Sequence, residues 1–227
     1  MTVDETVRLV EAIAKLIGVV AWPALLVFVI VKFRPAIASF LESLGEFSLK
    51  GAGIEASAKR KQLEAVASLA AASASDSKEK ATPQEAARSA VSAVTSSLTP
   101  RALRKAGKAR VLWVDDKPGN NINERAALEA LGIEFVLALS TQDALEKIRR
   151  QPFDAIVSDM GRPPDPRAGY TLLDALRSNG YTTPFVIFSA SDAPEHKLEA
   201  LSRGAIGATS QPSELFRLVM KALGGAG

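Results

Sequence analysis

Five short runs of β-branched and aromatic residues recur between Arg110 and Thr209, each followed by a helix-forming stretch, and this alternation restricts the fold more than any other feature. The runs are RVLWV (110–114), EFVLA (134–138), DAIVS (154–158), PFVIF (184–188) and a weaker AIGAT (205–209). Between and after them, helices are predicted over about Asn121–Leu131, Thr141–Arg150, Tyr170–Asn179, Pro194–Ser202 and Ser213–Leu223. Gly132 and Gly180 close two of them, and Ser140 or Thr141 caps another. Continuous apolar strands joined by helical crossovers mean a buried parallel sheet with helices on both faces. A stretch of roughly 115 residues is enough for one such domain.

In parallel sheets, chemistry gathers at the carboxyl ends of the strands. Here strand one runs into Asp115-Asp116, strand three into Asp159 and strand four into Ser189. A single strand-end Asp is ordinarily a cap for the next helix. Three carboxylates and a hydroxyl on one rim are different, because like charges held close together need a cation or a retained proton. Oxygen ligands with open positions suit Mg²⁺, which keeps waters and accepts phosphate oxygens. The residues therefore predict a Mg²⁺ site beside a carboxylate able to attack a phosphoryl group.

Composition removes several other chemistries. The 227-residue chain has no cysteine and one histidine, His196. That excludes disulfides, thiol nucleophiles and thiolate zinc sites, and argues against an imidazole-rich metal centre. Of the net charge of +3, residues 1–109 contribute +5 and residues 110–227 contribute −2. The second half thus has no electrostatic footprint for nucleic acid, and no direct nucleic-acid binding is expected.

The first half reads differently. Leu16–Val31 (LIGVVAWPALLVFVIV) is sixteen residues without a charge between Lys15 and Lys32. It covers about 24 Å as a helix, and residues 12–34 reach the roughly 30 Å of a hydrocarbon core with snorkelling lysines. Lys32-Phe33-Arg34-Pro35 reads as a stop-transfer flank rather than a cleavage site. Basic residues after the run put the C-terminal bulk on the cytoplasmic side. The expectation is a single-pass anchor in the inner (cytoplasmic) membrane over residues 1–34, touching lipid through residues 12–34. Residues 35–108 follow as a juxtamembrane segment and Ala/Ser-rich helical stalk.

Within that stalk, Ile37, Phe40, Leu41 and Leu44 form a stripe suited to the membrane surface, and residues 46–55 are read as a short hairpin. A helix is predicted over about Ala56–Ala72, a break over Ser73–Thr82, and a second helix from Pro83. In that second helix Ala87, Val91, Val94 and Leu98 either form a coiled-coil seam, which would make the protein a homodimer, or lie on a solvated spacer. Arg101, Arg104, Lys105, Lys108 and Arg110 are either a solvated linker or a contact for anionic lipid.

Residues 109–227 resemble a response-regulator receiver domain. VLWVDDKP resembles the family's acidic pair on strand one, VSDM its phosphoacceptor strand, FSA its switch strand and GAIGATSQP the turn before its last helix. The resemblance implies a flavodoxin-like (βα)5 α/β fold with a central five-stranded parallel sheet, preceded here by one transmembrane helix and the stalk. It implies Asp159 as the phosphorylated aspartate and Ser189 as the switch hydroxyl. The implied Mg²⁺ ligands are Asp116 and Asp159, the Gly161 carbonyl, and Asp115 through water. It implies a histidine kinase or phosphotransfer protein as phosphoryl donor, a downstream protein partner, and no catalysis beyond gaining and losing the phosphoryl group. Two positions depart from the pattern: Gln211 stands where the family has a lysine before the proline, and Ala208 stands where it has a bulky aromatic. In the Pro-rich loop after Asp159, Arg162 and Arg167 either supply the missing charge or are solvated.

Three further readings compete. The residues also allow a pseudo-receiver, the same fold serving as a constitutive docking module. A phosphohydrolase of the haloacid-dehalogenase type would want an Asp-x-Asp that Asp115-Asp116-Lys117 lacks, and a DNA-binding regulator has no candidate element. Nothing follows Leu223 but Gly-Gly-Ala-Gly, so output is expected through a binding surface on the last helices and their strand.

Overall fold

A computed structural model of the chain describes residues 52–75, 82–191 and 193–224. The expected membrane span over residues 12–34 and the stripe over 37–44 lie outside these residues. Among the described residues no helix is long and apolar enough to cross a membrane.

Residues 110–224 alternate as the apolar runs require: β1 (Arg110–Val114), a 3₁₀ turn (Pro118–Asn121), α4 (Ile122–Glu129), β2 (Glu134–Ala138), α5 (Thr141–Arg150), β3 (Ala155–Ser158), α6 (Ala168–Ser178), β4 (Phe185–Phe188), α7 (Pro194–Ser202), β5 (Gly207–Thr209) and α8 (Pro212–Gly224). Before them come α1 (Ala52–Ser75), α2 (Pro83–Ser97) and α3 (Pro100–Ala106). All strands pair in parallel in the order β2-β1-β3-β4-β5. This is a doubly wound sheet whose winding reverses between β1 and β3, so the loops after those two strands part and leave a crevice.

Successive strand residues feed opposite cores, as the two-residue period dictates. Val111, Trp113, Val157 and Val186 pack beneath α4 and α8, while Leu112, Val114, Ile156 and Ile187 pack beneath α5, α6 and α7. Local signals set the helix ends. The Ser140 side chain accepts from the Asp143 N–H, and Thr82 with Glu85 forms a reciprocal capping box at the start of α2. Helix α4 stops short of Leu131 because the chain turns at Gly132, whose φ of 99° suits glycine.

Three expectations for the first half need correction. Residues 52–55, the second arm of the expected hairpin, are helical and open α1. The buried stripe of α2 is Ala86, Ala90, Ala93 and Val94, whereas Ala87 and Val91 are only half-buried, so the expected seam is rotated. That stripe is covered from within the chain. It joins Leu98, Ala102 and Ala106 in one core with Phe216, Val219, Met220 and Leu223 of α8. The Ser89 hydroxyl donates to the Ser213 hydroxyl across the junction at 2.9 Å. The third correction is that part of the basic linker is itself a helix, α3, capped by Thr99 and docked through Ala102 and Ala106, with Arg101, Arg104 and Lys105 exposed. The described part of the stalk from residue 57 is therefore a fourth layer on the sheet domain.

Candidate functional site

Backbone pairing brings the acidic strand ends together. Val114 pairs with Ser158 in register, so Asp115 and Asp159 leave neighbouring strands at the same level. Their amides are tied into the sheet: the Asp115 N–H donates to the Ala138 carbonyl and the Asp159 N–H to the Val114 carbonyl, both at 2.9 Å. One carboxylate oxygen from each of Asp115, Asp116 and Asp159 falls within a 4.8 Å group, with Asp115 buried and the other two half-buried.

Each carboxylate has a distinct environment. Asp115 accepts from the Lys117 N–H at 2.7 Å, from Asn121 Nδ2 at 2.7 Å and from Trp113 Nε1 at 3.4 Å, which fixes its orientation. Trp113 is held in turn by edge contacts with Phe135 and Phe188 and by the Arg125 guanidinium 5.4 Å from its ring centre. The Asp159 carboxylate accepts from the Met160 N–H at 2.8 Å. Burial first, and then the Asp115 and Asp116 charges, push the Asp159 pKa above the usual carboxylate range, against the Met160 bond and Arg162. The donors are all hard oxygens at the mouth of a crevice, so they fit a divalent cation such as Mg²⁺ held by Asp115, Asp116 and Asp159.

Two glycines frame the acceptor turn. Gly161 follows in the exposed loop, where a Cβ would stand 3.4 Å from the Pro166 carbonyl. Gly169, at the start of α6, donates its N–H to the Met160 carbonyl at 2.8 Å; a Cβ there would lie 3.0 Å from the Asp159 carbonyl oxygen and 3.1 Å from Met160 Cα. Ser189 ends β4 on the same rim, but its hydroxyl donates to the Ser191 carbonyl at 3.2 Å. Gln211 is exposed; its N–H donates to Thr209 Oγ1 at 3.0 Å and its carbonyl accepts from the Glu214 and Leu215 N–H groups at 3.1 and 2.9 Å. Ala208 is buried within β5, opposite Ile187.

The two arginines of the loop separate cleanly. Arg167 is exposed and ion-pairs with Glu199 on α7. Arg162 is buried and bonded to Ser158, Asp159, Thr141 and Ala168. Sequence reasoning missed Asn121 and Thr141 as participants. Asn121 had a signal, an amide side chain just after the strand-one acids, whereas Thr141 reads as an ordinary helix start.

Residues 110–224 thus form a doubly wound parallel sheet with a carboxylate trio gathered at its switch point. The chain belongs to the response regulator receiver domain family, whose sequence pattern matches residues 111–222. It is 32% identical over 107 residues to the two-component response regulator ORR41 of Oryza sativa, covering 45% of this chain and 83% of that one. It is 30% identical over 112 residues to the transcriptional regulatory protein ZraR of Salmonella typhimurium, covering 49% of this chain and 25% of that one. It is 32% identical over 102 residues to the gliding motility regulatory protein of Myxococcus xanthus, covering 44% and 13%. The chain thus spans about a quarter or less of the length of several relatives it matches. Among solved structures, the chemotaxis response regulator CheY4 of Vibrio cholerae is 28% identical, with 51% of this chain and 98% of that one covered at a TM-score of 0.45.

Proposed function

We propose that this chain is a receiver that takes a phosphoryl group on Asp159 from a histidine kinase or phosphotransfer protein and signals through protein contact. The observation that carries the reading is the approach of three carboxylates from two strand ends to within 4.8 Å. In the transfer, an Asp159 carboxylate oxygen attacks phosphorus, the P–N bond to the donor imidazole breaks, and that nitrogen takes a proton from solvent. Asp159 then carries an acyl phosphate. Bound Mg²⁺ supplies charge neutralisation for the arriving phosphoryl oxygens. Asp116, Asp159 and the Gly161 carbonyl would hold it, with Asp115 assisting through water, and Asn121 and Trp113 keep Asp115 aimed. Ser189 reaches the phosphoryl group by giving up its bond to Ser191.

The outward side of α8 is already covered by α2 and α3, so the contact surface in this reading is the groove between α7, β5 and α8. Its lining includes Leu201, Ile206, Gln211, Glu214 and Leu218. Residues 12–34 tether the chain to the inner membrane in this reading, with residues 109–227 on the cytoplasmic side.

A second reading draws on Gln211, whose exposed side chain brings no charge to the acidic trio: a constitutive docking module of the same fold. One experiment separates the two. The full chain is given Mg²⁺ and beryllofluoride or a small acyl phosphate, and amide shifts are followed beside those of Asp159→Asn. Shifts that reach residues 205–223 in the native chain, and vanish in the variant, support the phosphorylated receiver. Native and variant spectra that both stay unchanged support the docking module.

A further inference from the structure

Arg162 is only 3% exposed, yet among the described residues its guanidinium bonds to neutral oxygens rather than to a carboxylate. Its Nη1 donates to Ser158 Oγ at 2.7 Å and to the Asp159 carbonyl; its Nη2 donates to Thr141 Oγ1 at 3.1 Å and to the Ala168 carbonyl at 3.0 Å. Nε is buried with no hydrogen-bond partner among the described residues. Neutral oxygens satisfy donors but do not repay the hydration lost by a buried guanidinium, so a cation placed this way depends on charges nearby. Those charges are the three carboxylates of the rim and Asp165 of the loop: burial pushes the Arg162 guanidinium below its usual range, and Asp159, Asp115, Asp116 and Asp165 act against that.

The four acceptors also show what the fork connects. Ser158 and Asp159 end β3, Thr141 opens α5 and Ala168 opens α6. Both helices pack on the Leu112 face of the sheet, whereas Gln211 precedes α8 on the opposite face. The guanidinium therefore ties the acceptor strand, at the Asp159 carbonyl, to the two helices of the face opposite α8, and none of its bonds touches β4 or β5.

We infer that Arg162 is the pocket's resident cation and a positioning residue, anchoring the acceptor peptide from beneath while offsetting one of its three carboxylates. Three carboxylates and one guanidinium leave a net charge of −2, which one divalent ion cancels. The arrangement restrains metal affinity and favours a phosphoryl anion on Asp159. The inference rests on the phosphoacceptor reading above only for the anion. Its consequence for the metal stands alone.

The test compares the full native chain with Arg162→Gln, Arg162→Lys and Asp159→Asn, measuring Mg²⁺ affinity by titration calorimetry, beryllofluoride affinity at saturating Mg²⁺, and melting temperature. Removing one positive charge beside the trio should tighten Mg²⁺ binding by about tenfold in Arg162→Gln and weaken beryllofluoride binding by about tenfold. Arg162→Lys should return both to within about threefold of native. A residue that merely braces the loop predicts the opposite sign: Arg162→Gln would bind Mg²⁺ no more tightly than native, and that result overturns the inference. If Arg162→Gln does not fold, Arg162→Lys decides, and a loss of Mg²⁺ affinity well beyond threefold sinks the idea. Asp159→Asn that still takes up beryllofluoride overturns the phosphoacceptor reading instead, while the Mg²⁺ comparison still judges Arg162.

Discussion

At the scale of single residues, the pocket depends on close approach and on one reluctant carboxyl group. The N-terminus of α6 touches the backbone of Asp159 and Met160 at Gly169, where a Cβ would press on the Asp159 carbonyl at 3.0 Å. Gly169→Ala should therefore displace the acceptor turn, lowering stability by about 1–3 kcal/mol and weakening Mg²⁺ binding, as thermal melting and metal titration will show. Asp159 carries its own signature. Its pKa in the fold is raised, mainly by burial and by Asp115. The folded protein therefore holds a proton that the unfolded chain has already released. With metal chelated, stability should fall as pH climbs from about 4, the unfolded value, through the raised one, and stay reduced above it. Asp159→Asn should flatten that fall and be the more stable protein at neutral pH. Urea unfolding in EDTA at acid and neutral pH decides this, and parallel profiles for the two proteins would remove the basis for calling Asp159 strained by its neighbours.

At the scale of elements, the informative feature is α2 on α8. Small residues let the two helices approach: Ala86, Ala90 and Ala93 are buried, and the Ser89–Ser213 hydrogen bond links positions 124 residues apart. Ala90→Glu would bury an unpaired carboxylate in that junction. It should cost about 3 kcal/mol or more and raise amide exchange in α8 specifically, because α8 gains its outer cover from α2 and α3. The rotation of the buried stripe from the expected seam has a simple origin. Residues 86, 87, 90 and 93 are all alanine, so two neighbouring helix faces are equally apolar and periodicity does not choose between them. The choice was made by α8, which supplies Met220 and Leu223 as partners.

At the scale of the molecule, sheet, rim and helical cover form one folded unit among the described residues from 56 to 224. A cation that binds only the gathered carboxylates must stabilise the whole unit by mass action, about 2.7 kcal/mol at a hundredfold excess over the dissociation constant. Mg²⁺ should therefore raise the melting temperature of the native chain and leave that of Asp116→Ala nearly unchanged, a comparison open to calorimetry.

What was legible in the amino-acid order follows from locality. Strand and helix runs, their caps and the parallel sheet depend on near neighbours and on a two-residue or 3.6-residue period. Asp115, Asp116 and Asp159 were predictable as a group because strand ends in a parallel sheet share one rim. The fate of Arg162 and Arg167 was not, since both lie in a loop without period. Only folding put one onto Ser158, Thr141 and two carbonyls and the other onto Glu199. The same holds for the helices of residues 83–106, whose docking face is set by distant side chains rather than by their own pattern. Sequence by itself determined which residues could bear charge at the rim and which elements would carry them. The tertiary structure alone decided which cation sits beneath that rim and which surface the N-terminal helices cover, because burial and electrostatic pairing are properties of neighbours in space.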